Sequence, residues 1–174
     1  MKKLEDYVEN IVDFPEKGII FRDVSSVFQD KDGLKLAIDS MLKAVEGLDF
    51  DVVAGTESRG FLLGMPIAYA LNKGFVMVRK KGKLPREVVS KEYELEYGTA
   101  AIEIHKDAIK PGDRVLVVDD LIATGGTIKA AAELIEELGG TVAKMIFLIE
   151  LEDLDGRSKL EGYDIESVIK YKGK

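Results

Sequence analysis

The sequence predicts an α/β fold with a largely parallel central sheet flanked by helices. Strand-length apolar runs alternate with stretches whose apolar residues recur at helical spacing. One of these runs, Val115-Leu116-Val117-Val118, is apolar throughout, as expected of a parallel strand covered on both faces. The chain has 174 residues with no internal repeat, low-complexity tract or linker, which fits one domain over 1–174.

The elements follow in order. Leu4, Tyr7, Val8, Ile11 and Val12 recur at helical spacing and predict a short opening amphipathic helix, broken by Pro15 and Gly18. Ile19-Ile20-Phe21 then runs into Arg22-Asp23. Leu34, Ala37, Ile38, Met41, Leu42 and Val45 share one helical face, so a second helix is expected over 34–45, stopped by Gly47. Residues 51–55 read as a short buried strand, and 56–60 as a polar turn into a third helix that Gly64 and Pro66 should interrupt. A β-rich run at 75–78 leads into Arg79-Lys80-Lys81-Gly82-Lys83-Leu84-Pro85-Arg86, a basic loop without a single acid. Residues 92–103 are acidic and end in an alternating strand pattern, with His105 expected at a strand surface. Pro111-Gly112-Asp113 is a turn, and the strand at 114–118 gives way to a loop at 119–127. A helix over 128–138 stops at Gly139-Gly140, and strands at 142–151 and 165–171 complete the chain.

Composition excludes several classes. There is no Cys, hence no disulfide framework and no thiolate metal site, and a single His rules out a multi-histidine zinc site. Lys and Arg number 25 against 32 Asp and Glu, a net charge of −7, which argues against a general nucleic-acid binder. A small phosphorylated ligand needs only a local patch and stays open. No apolar run approaches the ~18 residues of a membrane span, and none follows Lys2-Lys3, so a cytoplasmic protein is expected.

The strongest chemical signal is Val117-Val118-Asp119-Asp120-Leu121-Ile122-Ala123-Thr124-Gly125-Gly126-Thr127. It lies where an apolar strand passes into a helix, the crevice in which open α/β sheets bind ligands. A helix N-terminus presents unpaired N–H donors, the two glycines allow close approach of backbone to an anion, and Thr124 and Thr127 add hydroxyls. Together these form a monophosphate cradle, although a Gly-Gly turn with an ordinary cap fits the same residues. Asp119 and Asp120 are placed to accept hydrogen bonds from sugar hydroxyls or to help hold a metal.

This segment resembles the 5-phosphoribosyl 1-diphosphate (PRPP) motif of the type I phosphoribosyltransferases, and it matches neither GxxxxGK[ST] nor GxGxxG. Three further segments are similar to the adenine-specific members of that family. They are Phe14-Pro15-Glu16-Lys17-Gly18-Ile19-Ile20-Phe21-Arg22-Asp23, Ala54-Gly55-Thr56-Glu57-Ser58-Arg59-Gly60-Phe61, and residues 79–85 taken with Tyr93-Glu94-Leu95-Glu96-Tyr97-Gly98. Taken singly, each also admits a plain reading: Phe21 as core, Ser58 as a helix cap with Arg59 on the surface, the basic loop as a solvated face. Their joint order, in register from about Leu4 to Tyr171, supports the resemblance. Residues 86–92 and the position of Pro66 depart from the family pattern.

The resemblance implies a purine-salvage enzyme in which adenine and PRPP give AMP and diphosphate. The fold implied is the type I phosphoribosyltransferase fold, with a base-binding hood over about 1–30 and a flexible lid over about 80–100. Ala123, Thr124, Gly125, Gly126 and Thr127 would hold the 5′-phosphate, and Asp119 and Asp120 the ribose hydroxyls. Glu57, Ser58, Arg59, Arg79 and Lys83 would serve the diphosphate, with a cis peptide between Glu57 and Ser58. Phe21 and Leu121 would sandwich adenine while backbone at Ile20 and Arg22 reads its edge. Glu96 would act as the acid/base, with Tyr97 beside it on the lid. Mg²⁺ would be held mainly by PRPP rather than by protein ligands. A homodimer is implied, with no nucleic-acid or membrane partner.

Overall fold

The structure, a computed structural model, describes residues 1–95 and 97–173. An N-terminal ribbon, β1 (Glu9–Val12) and β2 (Ile20–Asp23), precedes two helices, α1 (Ser25–Gln29) and α2 (Lys31–Ala44). Then come β3 (Val52–Thr56), α3 (Arg59–Ala70), β4 (Gly74–Lys80), β5 (Val88–Leu95) and β6 (Gly98–His105). The chain finishes with β7 (Arg114–Ile122), α4 (Gly126–Glu137), β8 (Thr141–Leu151) and β9 (Ile165–Tyr171).

The main sheet has seven strands in the order β5-β6-β4-β3-β7-β8-β9. From β4 to β9 every neighbouring pair is parallel, while β6 joins β4 and β5 in antiparallel fashion. The chain turns to one side of β3 to make β4 and returns on the other side as β7, so the C-terminal ends of β3 and β7 flank a topological switch point. Two apolar layers cover the sheet. Leu116, Val118, Ile146 and Leu148 face α2 and α3, whereas Val115, Val117, Met145 and Phe147 face α4. That alternation explains why β7 and β8 read as continuous apolar runs. Among the described residues no helix is long and apolar enough to cross a membrane.

Several local expectations are corrected. The opening helix reduces to a 3-10 turn, Leu4–Tyr7, and Ile11 and Val12 lie in β1, paired with Phe21 and Ile20. Their side chains are exposed, so the apolar period does not describe one buried face. The Asp13 carboxylate accepts the Gly18 N–H at 2.7 Å and closes the hairpin that sequence spacing hid. The second helix starts at Lys31, not at residue 34, because Asp30 caps it by accepting from the Asp32 and Gly33 N–H groups at 2.8 and 3.1 Å. α3 runs without a break through Gly64 and Pro66. Gly64 is kept small by Phe75, and Leu62, whose carbonyl loses its helical partner at Pro66, is an exposed residue of α3. The acidic stretch lies in the β5–β6 hairpin, and β7 continues through Asp119 and Asp120 to Ile122 rather than ending at 118. His105 is buried, its ring against Arg86, rather than at the surface.

Candidate active site

β3 and β7 run parallel in register, Gly55 beside Val118, so their ends bring Thr56, Glu57 and Ser58 next to Asp119 and Asp120. There they open a cavity of about 410 Å³. Eleven of the residues singled out from the sequence line it: Glu57, Ser58, Arg59, Asp119, Asp120, Leu121 and the five from Ala123 to Thr127. The Glu57–Ser58 peptide is cis, as the resemblance implied.

Gly125 caps α4 at φ +83°, a conformation that favours glycine. A side chain there would also strike the Gly156 carbonyl at 2.6 Å. The phosphate-type loop is therefore seated on the short 3-10 segment Gly156–Leu160, and Gly156 is a support that nothing in the motif's own spacing could reveal.

The two aspartates differ in environment. Asp120, nearly fully buried, accepts the Arg59 Nε–H at 2.5 Å. That ion pair raises the Arg59 guanidinium's pKa and leaves its Nη edge as the part able to meet an anion. Asp119 takes the Asp120 N–H at 2.8 Å. Burial, followed by the neighbouring Asp120 charge, pushes its carboxyl well above the usual aspartate range. An incoming cation or a set of hydroxyl donors would relieve that cost.

Glu57 faces the opposite sign. Burial pushes its carboxyl up, but the Lys80 N–H together with Lys83 and Arg79 more than offsets this, and the net shift is downward. Arg79 Nη2 and Lys83 Nζ each lie 3.3 Å from Glu57 Oε2.

Six expected residues lie away from the cavity lining. Arg79 and Lys83 do not line the cavity themselves but pair with Glu57, which does, and Lys80 joins the lining. Phe21 packs edge-on against Phe14 at 5.3 Å between ring centres. Ile20 is exposed in β2. Arg22 bonds Asn10 Oδ1 at 2.6 Å, with its guanidinium 4.2 Å from the centre of the Tyr171 ring. Tyr97 is exposed on the hairpin tip, and Glu96 lies outside the described residues. Tyr93 was missed as a lining residue: as β5 folds against α4, its ring comes within 3.7 Å of where a Gly126 side chain would sit. Only the strand alternation of 92–95 could have suggested it.

The phosphoribosyl transferase domain family matches residues 24–171. The chain belongs to the phosphoribosyltransferase family. Among relatives, the adenine phosphoribosyltransferase of Agathobacter rectalis is 69% identical over 174 residues, covering 100% of both chains. The crystal structure of adenine phosphoribosyltransferase from Thermoanaerobacter pseudethanolicus superposes with a TM-score of 0.93 at 56% identity, covering 97% of this chain and 100% of that one. The Saccharomyces cerevisiae enzyme, solved with an imino-altritol bisphosphate and adenine, gives a TM-score of 0.89 at 41% identity, covering 95% and 96%. Those likenesses agree with the family, fold and enzyme class expected from the motifs.

Proposed function

We propose that this phosphoribosyltransferase transfers the 5-phosphoribosyl group of PRPP to N9 of adenine, giving AMP and diphosphate. The observation that carries the reading is the meeting, in one cavity, of the loop at 123–127 opening α4 with Asp119, Asp120 and the Glu57-Ser58-Arg59 turn. An anion at a glycine-rich helix start and an arginine fork beside it are the two ends of a ribose bearing a phosphate and a diphosphate.

In this reading the backbone and hydroxyls of 123–127 hold the 5′-phosphate, and Asp119 and Asp120 orient the ribose hydroxyls. Ser58, Arg59, Arg79 and Lys83 hold the diphosphate, Glu57 keeping the two last cations at its edge. Phe21 and Leu121 bracket adenine, with backbone at Ile20 and Arg22 reading its edge. The C1′–O bond breaks with its electron pair leaving on diphosphate, N9 bonds to C1′, and Glu96 accepts the N9 proton. Stabilising the leaving charge and fixing the geometry supply most of the acceleration. The β5–β6 hairpin, with Tyr93 over the phosphate loop and Tyr97 at its tip, keeps water from the developing ribosyl cation.

The cavity's acids, Glu57, Asp119 and Asp120, suit a substrate-borne Mg²⁺. Glu57 and Asp120 are already paired with cations, which leaves Asp119 as the carboxylate whose costly ionisation a cation would relieve. When bound, the ion would neutralise the diphosphate, with its ligands drawn mainly from PRPP oxygens and water. Leu62, Met65 and Tyr69 form an exposed apolar stripe along α3, which supports a homodimer packed through that face. A cytoplasmic location fits the reaction and the absence of cysteine.

The test is a base panel. Purified protein with PRPP and Mg²⁺ is given adenine, hypoxanthine, guanine, xanthine or orotate, and nucleotide formation is followed. Turnover with adenine alone is expected. Turnover with a 6-oxopurine or orotate instead would refute the base assignment, and PRPP binding without turnover on any base would point to a sensor.

A further inference from the structure

The end of β4 and the turn that joins it to β5 carry five cations, Arg79, Lys80, Lys81, Lys83 and Arg86, within eight residues. Mutual repulsion and the conformational freedom of long side chains should spread such a turn into solvent. Instead its backbone is held at three successive N–H groups. Lys81 donates to the Ala101 carbonyl of β6 at 3.2 Å. Lys80 donates to the Glu57 carboxylate, and Gly82 donates to the Glu103 carboxylate at 2.7 Å.

Glu103 is only 6% exposed and lies in β6 directly across from Arg79 of β4 on one side and Ser90 of β5 on the other. Its second oxygen accepts the Ser90 hydroxyl. Every oxygen of this buried carboxylate therefore serves to join the basic turn to the hairpin. These bonds, the Ser90 hydroxyl first, also keep its carboxyl below the usual glutamate range. Glu57 does the same from the cavity side, drawing Arg79 and Lys83 toward the place where a diphosphate would arrive.

We propose that Glu103 is a positioning residue for PRPP binding, acting with Glu57 as a two-carboxylate clamp that fixes the 80–83 turn and aims its cations at the diphosphate. Glu103 does not line the cavity and touches no substrate position. Its effect passes through the Gly82 N–H and the Ser90 hydroxyl. The clamp sets how well a diphosphate is met before the hairpin shuts, and it has no bearing on the base.

The proposal rests on the PRPP reading, and two readouts separate the two. Wild-type turnover with adenine and PRPP tests the reading itself. Limited trypsin digestion of the ligand-free protein, scored for cuts after Lys81 and Lys83, tests the clamp without any substrate. Glu103→Ala is expected to quicken those cuts and to raise KM for PRPP about tenfold while KM for adenine stays within about twofold. Glu103→Gln, which keeps an acceptor for Gly82, should restore most of both. Should Glu103→Ala fail to fold, Ser90→Ala removes one bond alone and should shift PRPP KM in the same direction by a smaller factor. A folded Glu103→Ala protein with unchanged digestion and PRPP KM would overturn the proposal. So would an equal rise in both KM values, or a Gln variant as impaired as the Ala variant.

Discussion

Gly125→Ala isolates the contribution of the phosphate loop. Two costs can be worked from the structure. Alanine at φ +83° sits in the left-handed region, a penalty of about 1–2 kcal/mol. In addition the new Cβ would lie 2.6 Å from the Gly156 carbonyl oxygen, so backbone on one side must retreat by some tenths of an ångström. In the proposed reading the loop's N–H groups meet the 5′-phosphate, so such a retreat would spoil alignment, and misplacement approaching 1 Å costs about 10²-fold in related situations. We expect kcat/KM for PRPP to fall roughly 10- to 100-fold, with the thermal midpoint lowered by about 2–4 °C for each kcal/mol lost. Gly112→Ala is the control: its φ is +90°, nothing lies within 4 Å of the added carbon, and it sits at the far end of β7. It should lose stability alone. The assay is steady-state kinetics at saturating adenine with PRPP varied, beside thermal melts of both variants. Gly125→Ala with wild-type PRPP kinetics, or Gly112→Ala with an equal kinetic defect, would refute the reasoning.

Three further outcomes are expected. Arg22→Ala removes both the Asn10 hydrogen bond and the contact with the Tyr171 ring that tie β2 to β1 and to β9, so KM for adenine should rise about 3- to 10-fold with PRPP KM unchanged. Tyr171→Phe, which keeps the ring, should behave as wild type, and parity between Tyr171→Phe and Tyr171→Ala would sink the account. For Asp119, a folded-state pKa raised by burial means that its contribution to stability is fully present below the ordinary aspartate range and is lost as pH rises through the raised value. Asp119→Asn should therefore raise the thermal midpoint of the ligand-free protein at neutral pH, lose that advantage as the solution is acidified, and lower activity; a lower midpoint at neutral pH would contradict the assignment. Tyr69→Glu places a charge in the exposed α3 stripe and should shift sedimentation toward a monomer, an unchanged sedimentation coefficient excluding that face as the contact.

The sequence by itself determined most of the architecture and which residues of β7 and the loop after it line the cavity. β7 and β8 were legible because strands covered on both faces must be apolar at consecutive positions, and the 117–127 segment because a strand passing into a glycine-rich helix start is written as contiguous apolar, Thr and Gly residues. Where local and long-range signals diverged, tertiary structure decided. Leu4 to Val12 carry a helical period, yet pairing with 20–23 and the Asp13–Gly18 bond draw their second half into a strand. Pro66 has the local chemistry of a helix breaker, yet the carbonyl it leaves without a helical partner belongs to the exposed Leu62 and α3 continues. The hidden supports of the site share one cause: Gly156 beneath Gly125, Asp120 on Arg59, and Glu57 and Glu103 on the basic turn are meetings of residues about 20 to 60 positions apart. A carboxylate in a list of acids carries no mark of which cation it will face. That is settled only when β3, β6 and β7 come into register and bring those groups within hydrogen-bonding distance, where burial makes an unpaired charge too costly to leave.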